Sequence, residues 1–506
     1  MSAPSVPSQR PSSAVSTADQ DTADAAQLAA LGYTQQLTRA LGLWQNFSVG
    51  FTYLSPLVGV YSLFAFGLAA GGPAFLWSIP IVVLGQSLVV LTFAEISSQF
   101  PLAGGIYQWA KRLVGSGYAW LAGWMYTWAL LVTVAAVAFP ISTYSGPLFG
   151  YRPTTLTTVV TAVVVILFAG LVNLAGVKRL ALVAQIGLVA EVVGTAGLGL
   201  YLLLFERHQG LSVLGKTFGA GKPGSYTSAF LGAALFAVFI FYGFEACGDI
   251  AEEVKDPSRK IPRAMILTMA VGAFATVLLS LGLLLSVPDL GAVVSGKDPD
   301  PIGTVLSAAL GSAGSKFVLT LIVIGFVSCT VAIQGATARL VYSYARDGMI
   351  AGSRALSTVN SRTHMPVGAI LVAVIVPALI TLLPSATVVK IITFAVVGIY
   401  VGFQSVVLSA IIGRAKGWRP AGAFTLGRWG LAVNVVALVY GVAAIIILSI
   451  KGGTADGSFF GHWLVPISVA IVFAAGLAYL LLLRPKENVR EDARSNSSQP
   501  APFQSA

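Results

Sequence analysis

Three glutamates stand where carboxylates are rare. Glu191 interrupts the run 180–205, which carries no other charge; Glu245 lies between Gly243 and Gly248; Glu95 closes the charge-free stretch 40–94. A carboxylate in an apolar run is costly and faces either a packed bundle or a water path. Such a group can take up and release a proton or hold a cation. It can equally serve as hydrogen-bonded glue between helices. Glu191, in the middle of its run, is the sharpest case for proton coupling, with Glu245 beside it as the second. Glu95 sits at the end of its run and reads first as an anchoring acid.

Two of the apolar runs contain helix breakers. In the first, Ser55-Pro56-Leu57-Val58-Gly59 puts a proline and a glycine three residues apart. Proline removes a backbone donor and clashes with the preceding turn, and glycine weakens the helix further. In the sixth, Phe239-Ile240-Phe241-Tyr242-Gly243-Phe244-Glu245 surrounds a carboxylate with glycine and aromatic side chains. Paired breaks in two halves of a chain free N–H and C=O groups to line a polar site at mid-membrane. The candidate substrate-binding residues are therefore Ser55, Pro56, Leu57, Val58, Gly59, Phe239, Tyr242, Gly243 and Glu245. The alternative is that Gly and Pro merely allow close packing of helices.

The elements that must position these groups follow from composition. Of 506 residues, 56% are hydrophobic and 10% are charged, against roughly 25% charged in a soluble domain. This excludes a soluble enzyme, a disordered chain and a nucleic-acid binder, and implies an all-α polytopic membrane protein. A spanning helix needs about 20 mostly apolar residues. Two such runs fit in 40–94, with Gly71-Gly72-Pro73 as their hairpin. Further runs fit at 113–151, 153–177, 180–205, 223–244, 264–288, 317–338, 363–389, 391–413, 429–450 and 457–483, giving twelve transmembrane helices. The transporter domain is expected over 39–484, with disordered cytoplasmic tails at 1–38 and 485–506. With both ends inside, 22 of the 30 Lys and Arg fall on the inner side and 8 on the outer, which sets the orientation. The net charge of +11 is then a topology signal with weak attraction to membrane lipid. Cys247 and Cys329 form no ligand or disulfide spacing. The three histidines, His208, His364 and His462, have no metal-ligand spacing either. No metal or cofactor is expected, and a membrane-embedded enzyme is only a remote alternative.

Three polar segments carry a family likeness. Phe100-Pro101-Leu102-Ala103-Gly104-Gly105-Ile106-Tyr107-Gln108-Trp109 resembles the Pro-x-x-Gly-Gly-x-Tyr-x-Trp loop of the amino acid–polyamine–organocation (APC) permeases. The stretch Gly243-Phe244-Glu245 followed by Glu252-Glu253-Val254-Lys255-Asp256-Pro257 and Ile261-Pro262-Arg263-Ala264 is similar to that family's next loop. Ala338-Arg339-Leu340, Tyr344-Ala345-Arg346-Asp347-Gly348 and Met365-Pro366 resemble the one after span 8. The branch most similar in look contains γ-aminobutyrate, choline and amino acid permeases. The resemblance implies a LeuT-like fold of two inverted five-helix repeats, about 40–205 and 229–413, with extra helices at 429–450 and 457–483. It also implies secondary transport across the plasma membrane of an amino acid, γ-aminobutyrate, polyamine or choline-like amine. Coupling to a proton, with the termini cytoplasmic, is the implied mode; an exchanger on the same fold is the alternative. Two departures stand out. Leu57-Val58-Gly59 replaces the Gly-Ser-Gly or Gly-Thr-Gly that holds a substrate carboxylate in many members. Glu191 falls where some proton-coupled relatives carry a buried lysine.

Overall fold

The computed structural model describes residues 17–222, 224–383, 385–451 and 463–483. It is helical almost throughout. Among the described residues, ten helical stretches are long and apolar enough to cross a membrane, and two apolar helices, Tyr226–Ile240 and Val367–Thr381, are shorter. These two correspond to the expected spans 6 and 9. The first is cut off because its backbone leaves the helix after Ile240, and the second because it ends in a turn at Leu382.

The first span is two helices, Leu43–Leu54 and Pro56–Gly71, joined at a single residue. Its first half packs against the helices of spans 5, 7 and 8, and its second half against the first half of span 6. Spans 1, 3 and 10 are mostly buried, whereas spans 4, 11 and 12 turn most of their surface outward. Leu167, Leu171, Val439 and Ile471 are exposed on these outer helices, as lipid-facing residues should be. The centre is thus built from the broken helices and the rim from smooth ones.

Several boundaries differ from expectation. Span 8 runs on as helix to Arg346, within Pro301–Arg346, which kinks at Gly311. Arg339 was expected to lie past the helix end. It is fully buried, and its guanidinium meets Glu253 at 3.0 Å, so its charge does not end the helix. The segment 17–38, expected as disordered tail, is ordered in part as the helix Thr17–Ala30. Asp24 fixes it by pairing with Arg39 (3.2 Å) and accepting the Asp256 N–H (2.9 Å). The rest of the expected N-terminal tail (1–16), the C-terminal tail 485–506 and the start of span 12 lie outside the described residues.

One face of the bundle gathers the basic loops. There Lys111 meets Asp347 (2.7 Å), Arg346 meets Glu252 (2.9 Å) and Arg339 meets Glu253. The N-terminal segment crosses this face. Tyr33 donates to Asp347 (3.0 Å), and the Arg346 guanidinium lies 3.9 Å from its ring centre. Burial pushes the Tyr33 hydroxyl pKa up, so it stays a donor. Tyr479, near the end of the last helix, accepts the Ala351 N–H on the same face (2.6 Å). The described segments nearest both ends therefore meet one face.

Candidate functional site

The residue before a proline is disfavoured in the helical region. Ser55 accordingly leaves it, at φ 43° and ψ 81°, and Pro56 starts the next helix. A helix start leaves N–H groups without partners, and each one here can be traced. Pro56 has none. The Leu57 N–H donates to Glu191 Oε2 at 3.0 Å. The Val58 N–H donates to Ser55 Oγ at 3.1 Å, and the Gly59 N–H to the Ser55 carbonyl at 3.0 Å. The Ser55 hydroxyl in turn donates to the other oxygen of Glu191. The carboxylate from span 5 therefore sits on the positive end of the half-helix Pro56–Gly71.

Glu191 is itself held by an irregularity. The helix Val177–Val192 passes into a π turn at Val193–Gly197, and the Thr195 hydroxyl donates to the Glu191 carbonyl at 2.5 Å. Such π insertions often occur at functional positions. The turn presses on the first break: a Cβ at Gly194 would lie 2.7 Å from Leu57 Cδ1.

The second break is longer. Helix Leu235–Ile240 stops, and a short helix resumes at Ala246. The carbonyls of Phe239 to Tyr242 have no following helical turn to bond. They form the negative end of the half-helix. Glu245 turns back on its own loop. Its Oε2 accepts the Gly243 N–H (2.8 Å) and its Oε1 the Tyr126 hydroxyl (2.9 Å). Tyr242 stands edge-on to both Phe239 and Tyr53, with ring centres 5.8 and 6.3 Å away.

Two glycines bring the breaks together. Gly243 has φ +111°, and a Cβ on it would lie 2.5 Å from the Leu54 backbone nitrogen. A Cβ on Gly59 would lie 2.3 Å from Ile240 Cγ1. As span 1 runs from 54 to 59, span 6 runs from 243 back to 240, so the two cross in opposite directions. Ser55, Pro56, Leu57, Val58, Gly59, Phe239, Tyr242, Gly243, Glu245 and Glu191 are all buried.

The three acids singled out by sequence separate clearly. Glu95 pairs with Arg414 and accepts the Leu426 N–H at 2.8 Å. Among the described residues, neither Glu191 nor Glu245 meets a basic side chain. A fourth acid escaped sequence reading. Asp249, one helical turn after Glu245, is fully buried, and neither of its carboxylate oxygens has a protein partner. Asn46 is buried with its amide likewise unpartnered. The four-residue spacing from Glu245 was the available signal for Asp249. Trp109 and Trp120 are buried, donating to the carbonyls of Phe100 and Met349.

A bundle of long apolar helices with paired breaks at its centre is the build of a multi-pass membrane transporter. Comparison with known proteins gives the family. The family model described as "Amino acid permease" matches residues 41–480, and the chain belongs to that family. It is 23% identical to amino-acid permease BAT1 of Arabidopsis thaliana, over 89% of this chain and 93% of that protein. It is 26% identical to a choline transporter of Saccharomyces cerevisiae (82% and 76% covered). It is 23% identical to a GABA-specific permease of the same yeast (83% and 77% covered). The chain is a transporter of small molecules, not an enzyme.

Proposed function

We propose that the chain is a proton-coupled symporter of amino acids or related amines, working by alternating access in the plasma membrane. Both termini are cytoplasmic and twelve helices span the bilayer, arranged as two inverted repeats of five plus two. Support for the repeat comes from the antiparallel crossing of the two breaks. Support for the orientation comes from the basic face that both described end segments meet. The named substrates of the relatives favour an amino acid, γ-aminobutyrate or choline-like compound.

The substrate sits between the breaks, beside Ser55–Gly59 on one side and Phe239, Tyr242, Gly243 and Glu245 on the other. Its ammonium faces the carbonyl end of Leu235–Ile240. The observation that carries the coupling is the Glu191 clamp. When charged, this carboxylate accepts from Ser55 and Leu57 and ties span 5 to the half-helix of span 1. When protonated it loses its attraction to the positive helix end, which frees span 1 to move against span 5. Glu245 is the second proton site. The test is uptake into proteoliposomes by Glu191→Gln. Wild type should accumulate substrate when a pH gradient is imposed, and the variant should only equilibrate it. Gradient-driven accumulation equal to wild type would remove Glu191 from the coupling role.

A further inference from the structure

A substrate carboxylate needs N–H donors, and the natural donors are those at a half-helix start. At the first break none is free: proline supplies none, Ser55 takes two, and Glu191 takes the last. At the second break the Gly243 N–H already goes to Glu245. The Ala246 N–H goes to the Gly243 carbonyl (3.1 Å) and the Gly248 N–H to the Glu245 carbonyl (2.7 Å). The second break leaves open the carbonyls of Phe239 to Tyr242 and the carboxylate of Asp249, with the N–H groups of Tyr242 and Phe244 as its unpaired donors; the first break leaves no donor open.

We infer that Glu191 is a built-in carboxylate that fills the anion position at the span 1 break, so that the site selects amines without a carboxylate over amino acids. Glu191 is thus a specificity-determining residue. It stands where a substrate carboxylate would otherwise sit, and a second negative charge there meets like-charge repulsion. The inference rests on the reading that substrate binds between the two breaks. It does not depend on coupling, because it concerns binding in the absence of any gradient. The rings of Phe239, Tyr242 and Tyr53 suit the same class of ligand, since aromatic faces attract organic cations.

The experiment is thermal stabilisation of the purified full chain in detergent by matched pairs: cadaverine with lysine, agmatine with arginine, and choline with glycine betaine. A ligand that binds the folded state stabilises it according to its concentration relative to its affinity. In wild type, at least one amine should bind about tenfold or more tightly than its carboxylated partner, the scale that like-charge rejection gives. In Glu191→Ala the gap should close through a gain by the carboxylated member. In the near-isosteric Glu191→Gln it should narrow in the same direction. The ligand-free melt of each variant reports whether it is folded, and Glu191→Gln decides the matter if Glu191→Ala is not. A merely structural role would weaken both members of a pair and leave their ratio unchanged, which would overturn the inference. Equal or tighter binding of the amino acids by wild type would overturn it too, with the binding site between the breaks left standing. Binding of neither member of any pair would overturn the inference together with that reading of the site.

Discussion

The two helix breaks solve one problem in opposite ways. In the first, the chain leaves the helix for a single residue, Ser55, which meets two of the exposed donors, and the third, the Leu57 N–H, is met from 134 positions away by Glu191. In the second, the backbone stays irregular from Phe241 to Glu245, and the loop's own glutamate turns back on Gly243. The carboxylate at the first break comes from another span, and the one at the second from the break itself. A change in the charge of Glu191 therefore acts on the backbone of another helix, whereas a change at Glu245 acts on its own loop and on the Tyr126 hydroxyl of span 3. Under the proposed proton coupling, that difference favours Glu191 over Glu245 as the coupling group. The first solution uses up every donor at its helix start, and the second leaves the carbonyls of Phe239 to Tyr242 open.

The largest expected effect tests the contact on which both breaks depend. Gly243→Ala puts a Cβ against the Leu54 backbone at a positive φ, and neither can yield easily. It should destabilise by roughly 3 kcal/mol or more, seen as a lowered melting point and loss of monodisperse protein. Wild-type stability would mean that the breaks do not abut. Next comes Gly59→Ala, whose Cβ meets the Ile240 side chain. Its cost should be about 2 kcal/mol, as for overpacking. Combining it with Ile240→Ala should cost less than the two changes summed, since the pair shares one space; strict additivity would separate the two sites. Ser55→Ala removes the cap on Val58 and one of the two donors to Glu191, for about 1 kcal/mol. Its uptake should also lose part of its dependence on a pH gradient, which a purely structural cap would not affect. The smallest effect is Tyr126→Phe, which deletes one hydrogen bond to Glu245 and should cost about 0.6 kcal/mol in a membrane bundle. If its melt fell further than that of Ser55→Ala, the second break would depend on span 3 more than on its own loop.

Much of this was legible in sequence where the chemistry is local. Ser-Pro favours a helix break because the residue before proline is disfavoured in the helical region, and Ser55 leaves the helix there, whereas Pro147, Pro262 and Pro377 stay inside helices. Gly243, two residues before Glu245, marks the other break because glycine weakens a helix. The family loops were legible by their likeness to those of the permeases, and polar residues such as Glu252, Glu253 and Arg346 in an apolar chain need partners. Those partners were not legible, nor was the helix Thr17–Ala30, whose order depends on Asp24 reaching Arg39 and Asp256. Asp249 was passed over because it lies at the end of an apolar run, where an acid is expected to meet water. In the structure that end is covered, with Asp249 Oδ1 lying against Gly105.

By itself, the sequence determined that this protein lives in a membrane, that it belongs with the permeases by its loops, and where its helices must break. The first follows from apolar length and the last from the local cost of proline and glycine in a helix, whereas the family was read from the likeness of these loops to those of the permeases. Only the tertiary structure decided which acid answers which break. It gave Glu95 to Arg414, Glu191 to the half-helix of span 1 and Glu245 to its own loop. A buried charge must find a partner, but residue spacing cannot say which one when the partner lies on another helix and is brought near only by packing.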